Sequence, residues 1–294
     1  MAEEILRLPP DKVKALIKQG EMGIVSAPIV ESRRGGNDLV EFSKKLFERD
    51  FLGPEAVEKT FGFSPRPEEV PPIQFTHQEL DDAKNNGEVL ILRVPRAADR
   101  SPLTIQKMQE ILQPALDLAN RGNVLLSTDW YENEDFFTQE RPRPGWALVA
   151  KKPIEASKGK NFLEQSIALA DYLESTAYRN NSVHEPLANA VQELLREKQA
   201  IADILGSREP ASAKLAQLSI NELTRQTASE AIYDLMMYFQ NNNERLMQRE
   251  YTWTNSRASD GDLVYVGRFD SDGVNVYGSS PDDSYSDLGV CPSR

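Results

Sequence analysis

The last 44 residues, Tyr251 to Arg294, use a different alphabet from the rest of the chain, and that limits what they can become. They hold eight Ser, seven Asp, five Gly, five Val, four Tyr and two Asn, and no Lys, Glu, Gln, Met, Ile or His. The first 250 residues carry 41 Lys plus Glu, so a stretch this long at the same density would hold about seven. Long flexible charged side chains are missing, and short polar residues and tyrosines take their place. Tyr offers a large rigid contact area at low entropic cost, while Ser, Gly and Asn offer adaptable hydrogen bonding. A solvated tail would not carry Trp253, Leu263, Val264, Val266, Phe269, Val274, Val276, Leu288 and Val290, which are β-formers.

A chain of 294 residues can build one large domain or two smaller ones. The formal charge of −12 disfavours the concentrated Lys/Arg surface that phosphate backbones and anionic membranes require, so neither nucleic acid nor a membrane surface is an expected partner. The single cysteine, Cys291, leaves no internal disulfide framework and no cysteine-based zinc site. The opening MAEEILRLPPDKVKALIKQG is acidic at once and lacks a secretory apolar core. No apolar run approaches the roughly 18 residues of a membrane span. The expectation is a product that is cytoplasmic at synthesis, without membrane insertion, displayed on a surface or virion only by another route.

Periodicity predicts an α+β chain. Pro10 starts a first helix through Val13, Leu16 and Ile17; Leu39, Phe42, Leu46 and Phe47 mark a second, and Glu55 to Phe61 a third. The Pro-rich stretch 63–73 reads as a strap. EVLILRVP (88–95) is a buried-type strand, residues 103–122 a helix closed by Gly122, and NVLLSTDWY (123–131) a second strand, which allows a parallel pair with a crossover helix. RPRPG (141–145) is the clearest interior boundary, so the expected division is a helical and α/β region 1–140 followed by a domain 141–294. In the latter, WALVAKK (146–152) is a strand, and helices run from Asn161 to Tyr178, from Ser182 to Leu205 and from Ile220 to Leu246. A meander of YTWTNSR, LVYVGRF, VNVYG and LGVCPS closes the chain. Strands Trp146–Lys152 and Leu288–Ser293 are expected to be neighbours in one sheet.

Within the meander, Asp270-Ser271-Asp272-Gly273 has the composition of a tight hairpin turn. Val274 and Val276 share one face, which sends Asn275 and Tyr277 to the other. The 278–287 loop carries no apolar residue except Pro281 and Tyr285. Tyr265, Arg268, Asn275, Tyr277, Ser279, Ser280, Asp283, Ser284, Tyr285 and Asp287 are therefore the candidate binding residues, expected to form most of one exposed patch.

Other motifs lead to no chemistry. In a calcium-loop frame set on Gly273, Arg268 falls at the first ligand position and Ser279 at the bidentate Glu, so no metal is expected. Lys158-Gly159-Lys160-Asn161 lacks the first glycine and the Ser/Thr of a phosphate loop. Cys291-Pro292-Ser293-Arg294 is one residue short of the sulfatase signature and reads as a small buried hydrophobe followed by the chain end. Asp129, Glu132, Glu134 and Asp135 form an acidic loop whose use as an enzyme site would need convergence in space. His77 and His184 have no local catalytic partner.

The segments PGWALVAKK, LTRQTASEAIYDLMMYFQNNNERL and YTWTNSR, with GDLVYVGRFDSDG and LGVCPSR, resemble the variable proteins of diversity-generating retroelements, and more narrowly the archaeal or nanoarchaeal type. The resemblance covers residues 75–294 and is best in the tail. It implies a C-type lectin-like fold in the C-terminal half and a 3′ gene end rewritten by a reverse transcriptase with errors at adenines. Asn codons changed in that way reach Asn, Ser, Asp, Gly, Tyr, His, Val and others but not Lys, Glu, Gln, Met or Trp; the tail's missing Lys, Glu, Gln and Met fit this rule, its missing His is not explained by it, and Trp253 is a fixed framework position. The implied activity is binding of an unknown protein or cell-surface ligand, without cofactor or catalysis. Lectin calcium motifs do not carry over, because Ser280-Pro281-Asp282 and Trp253-Thr254-Asn255 depart from both of them. An enzyme with an acidic site at Asp129–Asp135, or a viral structural or attachment protein, are the alternative readings.

Overall fold

The computed structural model describes residues 29–180 and 183–294, with side chains from residue 38. Residues 40–294 form one compact unit. The helices are α1 (Ile29–Phe47), α2 (Pro54–Phe61), α3 (His77–Asn85), α4 (Ile105–Leu118), α5 (Asp135–Thr138), α6 (Phe162–Tyr172), α7 (Glu185–Ala202), α8 (Arg208–Ala216), α9 (Ser219–Thr224) and α10 (Ala228–Asn242). The strands are β1 (Phe51–Leu52), β2 (Glu88–Arg93), β3 (Gly145–Ala150), β4 (Tyr251–Arg257), β5 (Leu263–Asp270), β6 (Gly273–Ser279) and β7 (Leu288–Gly289). This is a mixed α+β fold. The helix expected from Pro10 lies outside the described residues.

Two sheets organise the unit. In the first, of order β1-β2-β3, β2 lies parallel to β1 and antiparallel to β3. Every residue of β2 is buried, as the continuous apolar run Val89–Leu92 requires. The second sheet has the order β6-β5-β4-β7, antiparallel except where β7 runs parallel to β4. Helix α10 packs against α2, α4, β4 and β5 and also reaches β1 and β2. All residues from Ala228 to Phe239 are buried, so this helix has no solvent face over its first three turns.

Local chemistry sets the ends of α10. The Thr227 hydroxyl accepts from the Glu230 N–H at 3.2 Å, and the Glu230 carboxylate accepts from the Thr227 N–H at 3.0 Å. This reciprocal cap satisfies two otherwise orphaned donors. Asn243, in a left-handed conformation, closes the other end. The same cap divides the helix expected over Ile220–Leu246 into α9 and α10, with Arg225 and Gln226 between them.

Two further expectations change. Residues 123–131 do not pair with β2. Leu125 bridges Val274 at the edge of the second sheet, and a turn begins beyond it. β2 finds its partners in β1 and β3, so the α4 connection is not a crossover between parallel strands. The chain end divides between the sheets: β7 pairs with β4, and residues 292–294 pair with β3 through Leu148 N–H to Arg294 O (2.8 Å), Arg294 N–H to Leu148 O (3.1 Å) and Ala150 N–H to Pro292 O (3.0 Å). The neighbour relation with β3 therefore involves Pro292 to Arg294 and not Leu288 to Gly289. The β2–β3 ladder and the larger apolar core both run across the boundary drawn at 140/141.

Burying α10 also buries its charges. Arg93 on β2 donates to both carboxylate oxygens of Asp234 and to the Ser293 hydroxyl at 2.9 Å, and lies 3.4 Å from Glu230. Arg143 donates twice to Glu230, at 2.6 and 2.7 Å. Burial alone would raise the Glu230 pKa. The Arg93 charge, the Arg143 hydrogen bond and charge, and the Thr227 N–H overcome burial and bring it down to about 2. A depressed carboxylate contributes stability above its unfolded pKa, about 4.3, and loses it as pH falls towards the folded value. Unfolding free energy measured by urea titration is expected to fall between pH 4 and pH 2, with a shallower fall in Glu230→Gln. Equal pH slopes in the two proteins would contradict this assignment.

Candidate functional site

Alternation in β4, β5 and β6 gives the second sheet two chemically distinct faces. Val264, Val266, Phe269, Val274 and Val276 point into the larger core with α4 and α10. Tyr251, Trp253, Leu263 and Tyr265 point the other way, into a second core shared with α6 and α7. The helices cover this face at β4, β7 and Leu263 of β5; around Tyr265 and Tyr277 it opens to solvent.

The opening is aromatic. Tyr265 lies at the centre, with ring centroids 5.1 Å from Tyr251, 5.4 Å from Trp253, 5.8 Å from Tyr277 and 6.2 Å from Tyr285. Trp253 is fully buried and packs edge-on against Phe162. Exposure rises outward from it: Tyr265 is half-buried, while Tyr277 and Tyr285 are 41% and 43% exposed. Such ring pairs hold one another in place beyond what area alone supplies. Burial pushes the Tyr251 phenol up to about 12, against the pull of the Arg268 cation beside it, and burial likewise raises Tyr265. Both therefore stay neutral hydrogen-bonding groups at ordinary pH.

Charged and amide groups frame the rings. Arg268 pairs with Asp287 at 2.7 Å and lies 5.4 Å from the Tyr251 ring centroid. Arg268 sits at a bulge with φ +41°, beside Gly267, where a Cβ would lie 2.1 Å from the Glu250 carbonyl oxygen. The Asn275 amide donates to the Arg268 carbonyl at 3.1 Å and holds the bulge. In the following loop, Asp283 accepts from the Ser279 hydroxyl at 2.5 Å and from the Ser280 N–H at 3.2 Å. Ser284 is exposed.

Nine of the ten expected patch residues therefore reach the surface at least in part. Ser279 does not. It is buried at the end of β6, where its hydroxyl also meets the Tyr285 hydroxyl at 3.1 Å. Ser279 is a fastener beneath the loop, and the expectation that it lies in the exposed patch is corrected. A small hydroxyl fits a strand end without burying an unpaired polar group, and composition does not distinguish that role from a surface one.

Sequence reasoning missed three neighbours. Tyr251 underlies Arg268. Trp130, 42% exposed, donates its indole N–H to the Val276 carbonyl at 3.0 Å and borders β6. Leu126, 45% exposed, pairs with Val274 just before it. The bordering segment can approach because Gly273 has φ +116° and no side chain; a Cβ there would lie 2.4 Å from the Leu125 carbonyl carbon. No local signal in residues 123–131 announces that they flank a strand about 150 positions later.

The acidic loop is dispersed. Glu134 accepts from the backbone and hydroxyl of Ser259, both at 2.7 Å, Asp135 accepts from Gln139, and Asp129 and Glu132 face solvent. His184 meets Glu79 at 2.7 Å across 105 positions, and His77 packs edge-on against Phe42. Among the described residues, no three His, Cys, Asp or Glu side chains gather as a metal-ligand set. Cys291 is buried, and burial raises its thiol to about 12. No helix among the described residues is long and apolar enough to cross a membrane. No protein-family model, curated protein or solved structure matches the chain.

The gradient from Trp253 to Tyr285 predicts a gradient of mutational cost. Trp253→Ala is expected to destabilise by about 3–5 kcal/mol. Trp253→Phe is expected to cost much less, because the indole N–H has no acceptor among the described residues to lose. Tyr277→Ala and Tyr285→Ala are expected to stay within about 1 kcal/mol of wild type. Denaturant titration of the four variants measures this. A large loss at Tyr277 or Tyr285 would place those rings in the core.

Proposed function

We propose that this protein is a ligand-binding protein that carries a sequence-diversified patch on a C-type lectin-like scaffold, rewritten by a diversity-generating retroelement. The observation that carries the reading is how the tail's restricted alphabet divides between the faces of its sheet. Inward positions hold Val264, Val266, Phe269, Val274 and Val276, and outward positions with the adjoining loop hold Tyr265, Arg268, Asn275, Tyr277, Ser280, Asp283, Ser284, Tyr285 and Asp287. A rewriting process survives selection only where changes leave folding intact. Exposed residues on a rigid sheet meet that condition.

The lectin-like scaffold is supported by the order of strand β3, helices and meander, with the chain end returning to pair with β3. A binding role without catalysis is supported by the chemistry of the patch, which offers rings, amides and one surface ion pair. The partner is an unknown protein or cell-surface ligand. Exposed tyrosines at the centre of such a patch are the expected hot spots, each worth roughly 2 kcal/mol or more on truncation.

Two measurements test the reading. The gene is expected to lie near a reverse-transcriptase gene, beside a near-repeat of the tail-coding sequence that differs at adenines. At the protein level, a pooled library at the nine patch positions that reach the surface at least in part is expected to yield mostly soluble, folded protein, while a matched library at Val264, Val266, Phe269, Val274 and Val276 does not. Similar losses in both libraries, or a locus without the repeat, would overturn the proposal.

A further inference from the structure

A second candidate site, which shares no residue with the tail patch, lies at the carboxyl end of β2. A cleft of about 570 Å³ opens there, within the size range of small-molecule sites. Its apolar wall is made by Phe63, Pro65, Val94 and Pro95, with Pro144 opposite. Pro65, Val94 and Ala97 are buried, so this wall is part of the packed structure and not a loose surface fold. The strap 63–73 supplies one side and the loop after β2 the other.

Three arginines, Arg66, Arg96 and Arg100, are among the residues that line the same cleft. In a chain with formal charge −12, arginines usually find carboxylates, and several here do. Arg66 has Glu68 at 4.0 Å. Among the described residues, neither Arg96 nor Arg100 lies within ion-pair distance of a carboxylate. The nearest acid in sequence, Asp99, is held by Lys107 at 3.0 Å and by the Ser101 hydroxyl. Glu69 also lines the cleft, but its carboxylate accepts from the Arg66 backbone N–H at 3.0 Å.

The loop that carries the two arginines is closed on itself. Arg96 bridges Pro102, Ala97 N–H donates to Ser101 O at 2.9 Å, Arg100 N–H to Ala97 O at 2.9 Å, and Leu103 N–H to Pro95 O at 3.0 Å. The Arg96 guanidinium donates to the Arg100 carbonyl at 3.1 Å. Arg100 holds φ +66°, a conformation that non-glycine residues adopt at a cost. Both arginines are thus carried on a fixed turn that borders an apolar wall, and guanidinium forks match planar or tetrahedral oxyanions.

We propose that this cleft binds a small organic anion: an apolar body seated on Phe63 and the prolines, with one carboxylate or phosphate head group held by Arg96 and Arg100. The site is independent of the tail patch and of the reading given to it.

Isothermal titration of the full chain with phenyl phosphate, benzoate, phenol and inorganic phosphate tests this. At least one of the two aromatic anions is expected to bind ten-fold or more tighter than both phenol and inorganic phosphate. The tighter of the two identifies the head group as phosphate ester or carboxylate. Arg96→Gln/Arg100→Gln is expected to lose ten-fold or more of that affinity with an unchanged melting temperature, and Arg96→Lys/Arg100→Lys to retain part of it. If the double Gln variant melts early, Phe63→Ala serves instead, with the aromatic anions falling towards inorganic phosphate. Binding of phenol as tight as that of the anions, no binding of either aromatic anion, or unchanged affinity in a well-folded double Gln variant would overturn the proposal.

Discussion

The pairing of Arg93 with Asp234 and Glu230 is the interaction on which the rest of the structure depends. Helix α10 is buried on all sides because it packs against elements of both sheets. Its carboxylates can stay ionised there only if cations and hydrogen-bond donors reach them. Arg93 comes from the centre of the first sheet and Arg143 from just before β3; Arg93 also donates to Ser293 at the chain end. One guanidinium thus fixes the helix, the first sheet and the C-terminal segment in a single register. Removing one partner would leave a buried charge uncompensated, which costs far more than a surface pair is worth.

That anchored core makes a tolerant surface possible. The second sheet is clamped on one side by α10 and, on half of the other, by α6 and α7, with Trp253 and Phe162 at the clamp. The remaining half-face carries Tyr265, Tyr277 and Tyr285. Tyr277 and Tyr285 stand out into solvent, while Tyr265 packs partly against the second core. Gly267 and Gly273 cannot vary freely, because backbone atoms occupy the space a side chain would need.

The second candidate site, at Arg96 and Arg100, shares no residue with the tail patch and follows a different physical logic. The tail patch is aromatic, and the partner proposed for it is a macromolecule. The cleft at the end of β2 is small, walled by prolines and cationic, suited to a compact anion.

The sequence by itself determined the mixed α+β class, a buried strand within residues 88–95, the hairpin at Asp270–Gly273 and the outward direction of Asn275 and Tyr277, while the helix expected to close at Gly122 ends at Leu118. Each is a local matter: side-chain period, capping chemistry or turn residues over fewer than about ten positions. Tertiary structure decided the rest. It placed residues 123–126 against β6, divided the chain end between two sheets, drew Ser279 beneath its loop and set Trp130 and Tyr251 beside the patch. It also brought Arg93 to Asp234 across 141 positions. Such pairings depend on which distant surfaces meet, and a single chain read in order carries no periodic trace of them.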